Sequence, residues 1–184
     1  VFDLDCTLLN TLTDLANAGN RLCRKYGWPT HERQAYRYFV GNGIPKLVER
    51  LAPADQRTPA VLEAALADFK RDYGQHLRDT TAPYPGIPEM LAKLKANGVQ
   101  LAVFSNKADA LAKEVVKDYF GTQYFTIVRG QMTGVAPKPA AEGTNALLQA
   151  LHADPASTLY VGDSNVDVET AHNANLPCCG AVWG

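Results

Sequence analysis

From residue 84 to residue 184, stretches of helical periodicity alternate with short apolar runs, an order that few architectures accept. Helices are expected over 87–97, 108–120, 140–151 and 166–174, and strands over 100–105, 124–129, 158–162 and 178–182. Such alternation predicts a parallel sheet with helices on both faces. Residues 1–5 read as a further buried strand, too short to stand alone and so expected to join that sheet. Between them the pattern is only helical. Leu12, Leu15, Ala16, Gly19, Leu22, Cys23 and Tyr26 recur at intervals of three and four before a break at Gly27, Trp28 and Pro29. A short helix over about 32–40, a turn at Gly41, Asn42 and Gly43, and a helix ending near Leu51 follow. Leu62, Leu66, Phe69, Tyr73 and Leu77 then draw one apolar stripe down a last long helix. The expected class is α/β: a Rossmann-like core of residues 1–10 and 84–184, with an all-helical cap of residues 11–83 inserted after the first strand.

Charge narrows the partners. Lys and Arg number 18 against 19 Asp and Glu, with no dense basic cluster, so the chain lacks the electrostatic footprint of a nucleic-acid binder. No apolar run approaches the ~18 residues that a membrane-spanning helix needs. The expected partner is a small molecule and the expected assembly a monomer or homodimer. Cys6, Cys23, Cys178 and Cys179 form no C-x-x-C pair and have no His at zinc-ligand spacing, so they read as reduced thiols of a cytoplasmic protein. The chain starts and stops inside apolar runs, at Val1 and at Ala181–Gly184, and reads as clipped at both ends.

In parallel sheets ligands bind beyond the carboxyl ends of the strands. There the sequence places Asp3 and Asp5, then Ser105, Asn106 and Lys107, then Lys138 in a loop, then Asp163 with Asp167 following. Two carboxylates at i and i+2 leave a strand on the same side and can meet one ion or one substrate. With Asp163 they make an oxygen site suited to Mg²⁺, which relieves their mutual repulsion. An Asp beside such an ion can attack phosphorus, a second carboxyl group can protonate the departing oxygen, and Ser105 and Lys138 can hold the phosphoryl oxygens.

These residues resemble a known family. Phe2-Asp3-Leu4-Asp5-Cys6-Thr7-Leu8 is similar to motif I of the haloacid dehalogenase superfamily, and Val103-Phe104-Ser105-Asn106-Lys107 to motif II. Lys138-Pro139 resembles motif III, and Gly162-Asp163-Ser164-Asn165-Val166-Asp167 motif IV. One D-x-D is weak evidence, but four motifs in order at predicted strand ends are strong. The resemblance implies Asp3 as nucleophile and metal ligand, and Asp5 as general acid/base with its carbonyl on the metal. It implies Ser105 and the Asn106 backbone as phosphate binders, Lys138 as charge stabiliser, Asp163 as metal ligand, and Asp167 as ligand or outer acceptor. An acid at Asp5 points to a phosphatase or phosphomutase rather than a dehalogenase. The helical insertion, above all Val40–Arg50, resembles the cap of phosphoglycolate phosphatases, as do Tyr84–Ile87 and Gly180–Gly184. By that likeness Asn42, Lys46 or Arg50 meets the non-reacting end of the substrate. Cys6 departs from the family's usual Gly, at a position where positive φ suits Cys poorly, and Asn10 departs from a frequent Asp.

Taken singly, each feature has a plainer account. Ser105 and Asn106 suit a helix cap, Asp163 and Asp167 a helix N-terminus, Lys138 a surface loop, and Lys46 with Arg50 a solvated face. His31, His76, His152 and His172 fall on predicted helical segments, share no spacing and receive no catalytic role. The sequence therefore predicts a Mg²⁺-dependent phosphomonoesterase of a small phosphorylated metabolite, phosphoglycolate foremost. A phosphomutase of the same superfamily, or a catalytically silent phosphate-binding domain, is the alternative.

Overall fold

The opening residues form the axis of the sheet. Phe2 N–H donates to the Ala102 carbonyl and the Phe2 carbonyl accepts from Phe104 N–H, while on the other side Asp3 N–H donates to Val161 and Val161 N–H to Val1. The structure is a computed structural model that describes residues 1–184. Its elements in chain order are β1 (Leu9–Asn10), α1 (Leu12–Tyr26), α2 (Tyr36–Phe39), α3 (Ile44–Leu51), α4 (Pro59–His76), β2 (Ala82–Pro83), α5 (Ile87–Ala96), β3 (Leu101–Ala108), α6 (Asp109–Phe120), β4 (Phe125–Gln131), α7 (Ala141–Leu151), β5 (Tyr160–Gly162), α8 (Asn165–Asn173) and β6 (Cys178–Gly180). By contacts the chain falls into two units, residues 1–10 with 83–184 and residues 11–82. No helix is long and apolar enough to cross a membrane.

In the first unit the strands lie in the order β4, β3, opening strand, β5, β6, all parallel. Ala102 and Phe104 face a cluster built with Leu147, Leu148 and Leu151 of α7 and Ala171 of α8. Leu101 and Val103, which alternate with them and so point the other way, are equally buried. Both faces are therefore covered, which is why β3 reads as one continuous apolar run. The chain builds outward to β4, then returns to β5 on the far side of the opening strand. That reversal places a crevice at the strand's carboxyl end.

The second unit is all-helical, with α1 packed on α4 and α3 on both. Leu15, Leu22, Tyr36, Leu47, Leu51, Phe69 and Tyr73 are buried in it. Gly19 is required by packing, because a Cβ there would stand 2.5 Å from the Tyr36 hydroxyl. Two expectations shift in detail. The predicted helix near 32–40 is a 3-10 turn (Arg33–Ala35) running into the single turn α2, too short to form a longer helix and with no side-chain cap. His31 and His152 are not helical: His31 lies in the α1–α2 connection, and His152 is the left-handed residue that ends α7.

Candidate active site

Lys138 gathers the site. Its ammonium, almost wholly buried, lies 2.8 Å from Asp3 Oδ1 and 2.7 Å from Asp167 Oδ1. It also donates to the Tyr160 hydroxyl at 3.2 Å and the Phe104 carbonyl at 3.4 Å. A buried ammonium needs such a full complement of acceptors. Burial works against its charge, but Asp3, Tyr160 and Asp167 outweigh burial and hold its pKa well above the usual lysine value. The surface-lysine account of Lys138 is thus excluded.

Asp3, Asp163 and Asp167 each offer a carboxylate oxygen, and these atoms lie within 4.8 Å of one another. Asp3 comes from the opening strand, Asp163 follows β5 and Asp167 is in the first turn of α8. The close approach of β5 to α8 depends on Gly162, where a Cβ would meet the Asp167 side chain at 2.3 Å. Burial, partly offset by Lys138 and reinforced by Asp167 and Asp163, raises the Asp3 pKa to about 8. Burial likewise raises Asp163 to about 6, against a 2.6 Å hydrogen bond from Thr7. Asp167 goes the other way: burial raises it, but Lys138 and Ser164 hold it below the usual range. Its Oδ2 closes a capping box with the Ser164 N–H and hydroxyl. Three carboxylates crowd together while the one ammonium among them contacts only Asp3 and Asp167, and burial favours the protonated forms of Asp3 and Asp163. An all-oxygen cluster short of positive charge fits a hard divalent cation. Asp3 and Asp163 have oxygens for such an ion, while both Asp167 oxygens already serve Lys138 and Ser164.

Asp5 takes a different partner from Asp3. Its carboxylate lies 3.0 and 3.4 Å from the Lys107 ammonium and does not join the acidic cluster. The i, i+2 spacing suggested convergence on one ion. The chain turns at once after Asp5, with Cys6 in the left-handed region at φ 63°, and the two side chains go to different lysines. Positive φ is thus adopted by the residue that replaces the family's Gly, at some conformational cost. Ser105 Oγ accepts from Lys107 N–H at 3.2 Å, which leaves the hydroxyl its own proton to give. The Asn106 side chain clamps the Lys138 main chain, accepting from Lys138 N–H at 2.8 Å and donating to its carbonyl at 3.2 Å. Lys107, Tyr160 and Thr7 also serve the site, through Asp5, Lys138 and Asp163 respectively, although their motifs assign them no role. The signal was present, since each stands within a motif or three residues ahead of Asp163, but only folding aims them.

The cap candidates are held by cap neighbours. Lys46 pairs with Glu49 at 2.7 Å, and Arg50 donates to the Asn42 side chain and to the Phe39 carbonyl, both at 2.8 Å. Arg50 thereby fixes the Gly41–Gly43 turn ahead of α3.

A parallel sheet with an acid cluster and a buried lysine at its carboxyl edge is a Rossmann-like α/β frame with a polar site where the strand order reverses. Residues 1–181 match the haloacid dehalogenase-like hydrolase family, and the chain belongs to it. The phosphoglycolate phosphatase of Thiobacillus denitrificans is 31% identical over 100% of this chain and 82% of its own length. That of Neisseria meningitidis is 32% identical, over 100% and 79%. A crystal structure of a protein from Lactobacillus delbrueckii subsp. bulgaricus superposes with a TM-score of 0.93 at 27% identity, covering 100% of this chain and 85% of that one.

Proposed function

We propose that this chain is a Mg²⁺-dependent phosphomonoesterase of the cytoplasm that hydrolyses a small phosphorylated metabolite, phosphoglycolate foremost, through an aspartyl-phosphate intermediate. The observation that carries the reading is the Lys138 ammonium between Asp3 and Asp167, beside Asp163, at the edge where Ser105 and Asp5 also stand. The choice of substrate rests on the names of the curated relatives at 31–32% identity.

Asp3, Asp163 and the Asp5 carbonyl would hold a Mg²⁺ ion, with Asp167 as a further ligand or outer acceptor; once bound it would supply positive charge that favours the ionised form of Asp3 beside a phosphate. Asp3 forms a bond to phosphorus as the ester P–O bond breaks, and the departing oxygen takes a proton from Asp5. Water then attacks the phosphorus of the aspartyl phosphate, gives its proton to Asp5, and the bond to Asp3 breaks, releasing inorganic phosphate. Ser105 donates to a phosphoryl oxygen and Lys138 offsets the negative charge gathered there. Asn106 serves both by main-chain contact and by holding Lys138.

The test is phosphate release over a panel of phosphometabolites, including phosphoglycolate and sugar phosphates, with and without Mg²⁺, and with Asp3→Asn as control. Metal-dependent release that the variant loses is expected. Release from no ester would overturn the phosphatase and favour the silent phosphate-binding domain.

A further inference from the structure

Lys107 lies outside the set of residues that handle phosphate, yet its side chain is nearly as buried as that of Lys138, at 4% against 2% exposure. Burying an ion pair is a poor way to gain stability, because desolvation consumes the attraction. The end of β3 that carries Lys107 is also closely held. Gly130 N–H donates to Asp109 Oδ1 at 3.0 Å, and a Cβ on Gly130 would stand 2.4 Å from the Lys107 carbonyl, so β4 presses directly on it. Two successive residues near the end of β3 thus hold three parts of the site. Lys107 N–H meets the Ser105 hydroxyl, Asn106 clamps the Lys138 main chain, and Lys107 Nζ meets both oxygens of Asp5.

We propose that Lys107 is a positioning residue for the general acid, its ammonium fixing the Asp5 carboxyl group clear of the Asp3–Asp163–Asp167 cluster and ready for the leaving oxygen. The inference rests on the acid/base reading of Asp5. An aspartate at a strand end has several staggered rotamers, and proton transfer needs one of them within hydrogen-bond reach of the ester oxygen. Contact with both carboxylate oxygens selects the rotamer and the plane. Two aspartates two residues apart thereby take separate tasks, because each has its own lysine.

The measurement is single-turnover kinetics of the ester-cleavage step, followed as first release of the alcohol or phenol, by Lys107→Met, Asp5→Asn and the double variant on two esters in Mg²⁺, because hydrolysis of the shared aspartyl phosphate also uses Asp5 and would slow both esters alike. Phosphoglycolate has a poor leaving oxygen that needs a proton; p-nitrophenyl phosphate has a good one that does not. Loss of a general acid typically costs about 10²-fold or more in turnover. Lys107→Met is expected to lose at least about tenfold in the first-turnover rate on phosphoglycolate, with far smaller loss on the aryl ester and little change in the concentration that half-saturates that rate. The double variant should be no slower than Asp5→Asn, since residues acting as one unit are not additive. Lys107→Gln retains a donor and a similar reach; it is the second variant should Lys107→Met fail to fold, and is expected to show the same selective loss in smaller measure. Equal losses on both esters in either variant, or additive losses in the double variant, would overturn the proposal. Should Asp5→Asn slow the alkyl ester selectively while the Lys107 variants do not, only the positioning role falls. An Asp5→Asn enzyme that keeps full activity on both esters sinks the acid/base reading and this inference together.

Discussion

Asp14 in α1 is buried, yet its carboxylate accepts from the N–H and the hydroxyl of both Thr80 and Thr81, at 2.6 to 3.0 Å. Burial raises its pKa, but these hydrogen bonds prevail and hold it below the ordinary 3.8. A carboxyl group whose pKa is lowered by folding contributes stability above its unfolded pKa, and that contribution disappears as the pH falls through the folded value. Denaturation across pH 2–7 should therefore show an acid limb that Asp14→Asn flattens, because the variant has no proton to take up. At pH 7 the same variant should lose about 1–3 kcal/mol, since an amide NH₂ replaces one of the two oxygens that accept from these donors. Equal stability of the two proteins at pH 7 would contradict the account. Asp5 and Lys107 make the complementary point: the sequence supplied the acid, but its orientation depends on a lysine 102 residues away.

At the scale of elements, two glycines of similar appearance in the sequence should respond oppositely to alanine. Gly162 ends β5 where a Cβ would collide with Asp167, so Gly162→Ala should cost about 1–3 kcal/mol in urea unfolding, through overpacking. The same shift should impair the contact between Asp167 and Lys138. Gly74 lies inside α4 with open space where a Cβ would go, so Gly74→Ala should gain about 0.5–1 kcal/mol from the unfolded state's lost freedom. A destabilised Gly74→Ala protein would show that α4 is held differently in solution. The elements themselves were legible because periodicity is local: α1, α3, α4 and the four later helices fall where spacing puts them. Residues 32–40 were less legible, since one-turn helices owe their form to neighbours rather than to a pattern.

For the whole molecule, the divalent cation is the expected link between folding and activity. A ligand at 100 times its dissociation constant stabilises the native state by about 2.7 kcal/mol, so Mg²⁺ should raise the melting temperature and EDTA reverse it. The Asp3→Asn/Asp163→Asn variant should lose that rise. Activity should follow the same titration. A melting temperature indifferent to Mg²⁺, or turnover that persists in EDTA, would remove the cation from the site.

The sequence by itself determined the parallel sheet, the helical insertion and the strand ends at which chemistry-bearing residues collect, because alternation of periods and the polarity of strand ends are properties of neighbouring residues. It also carried the family motifs, so Asp3, Asp5, Ser105, Lys138 and Asp163 could be named without coordinates. Only the tertiary structure decided what each group faces. Lys138 rather than water meets Asp3, Lys107 claims Asp5, Ser164 and Lys138 take up both oxygens of Asp167, and the Asn106 side chain turns to the Lys138 main chain. The physical reason is that a charge withdrawn from water must find its partner among whatever the fold brings near, and in this sheet those partners come from distant strands and loops.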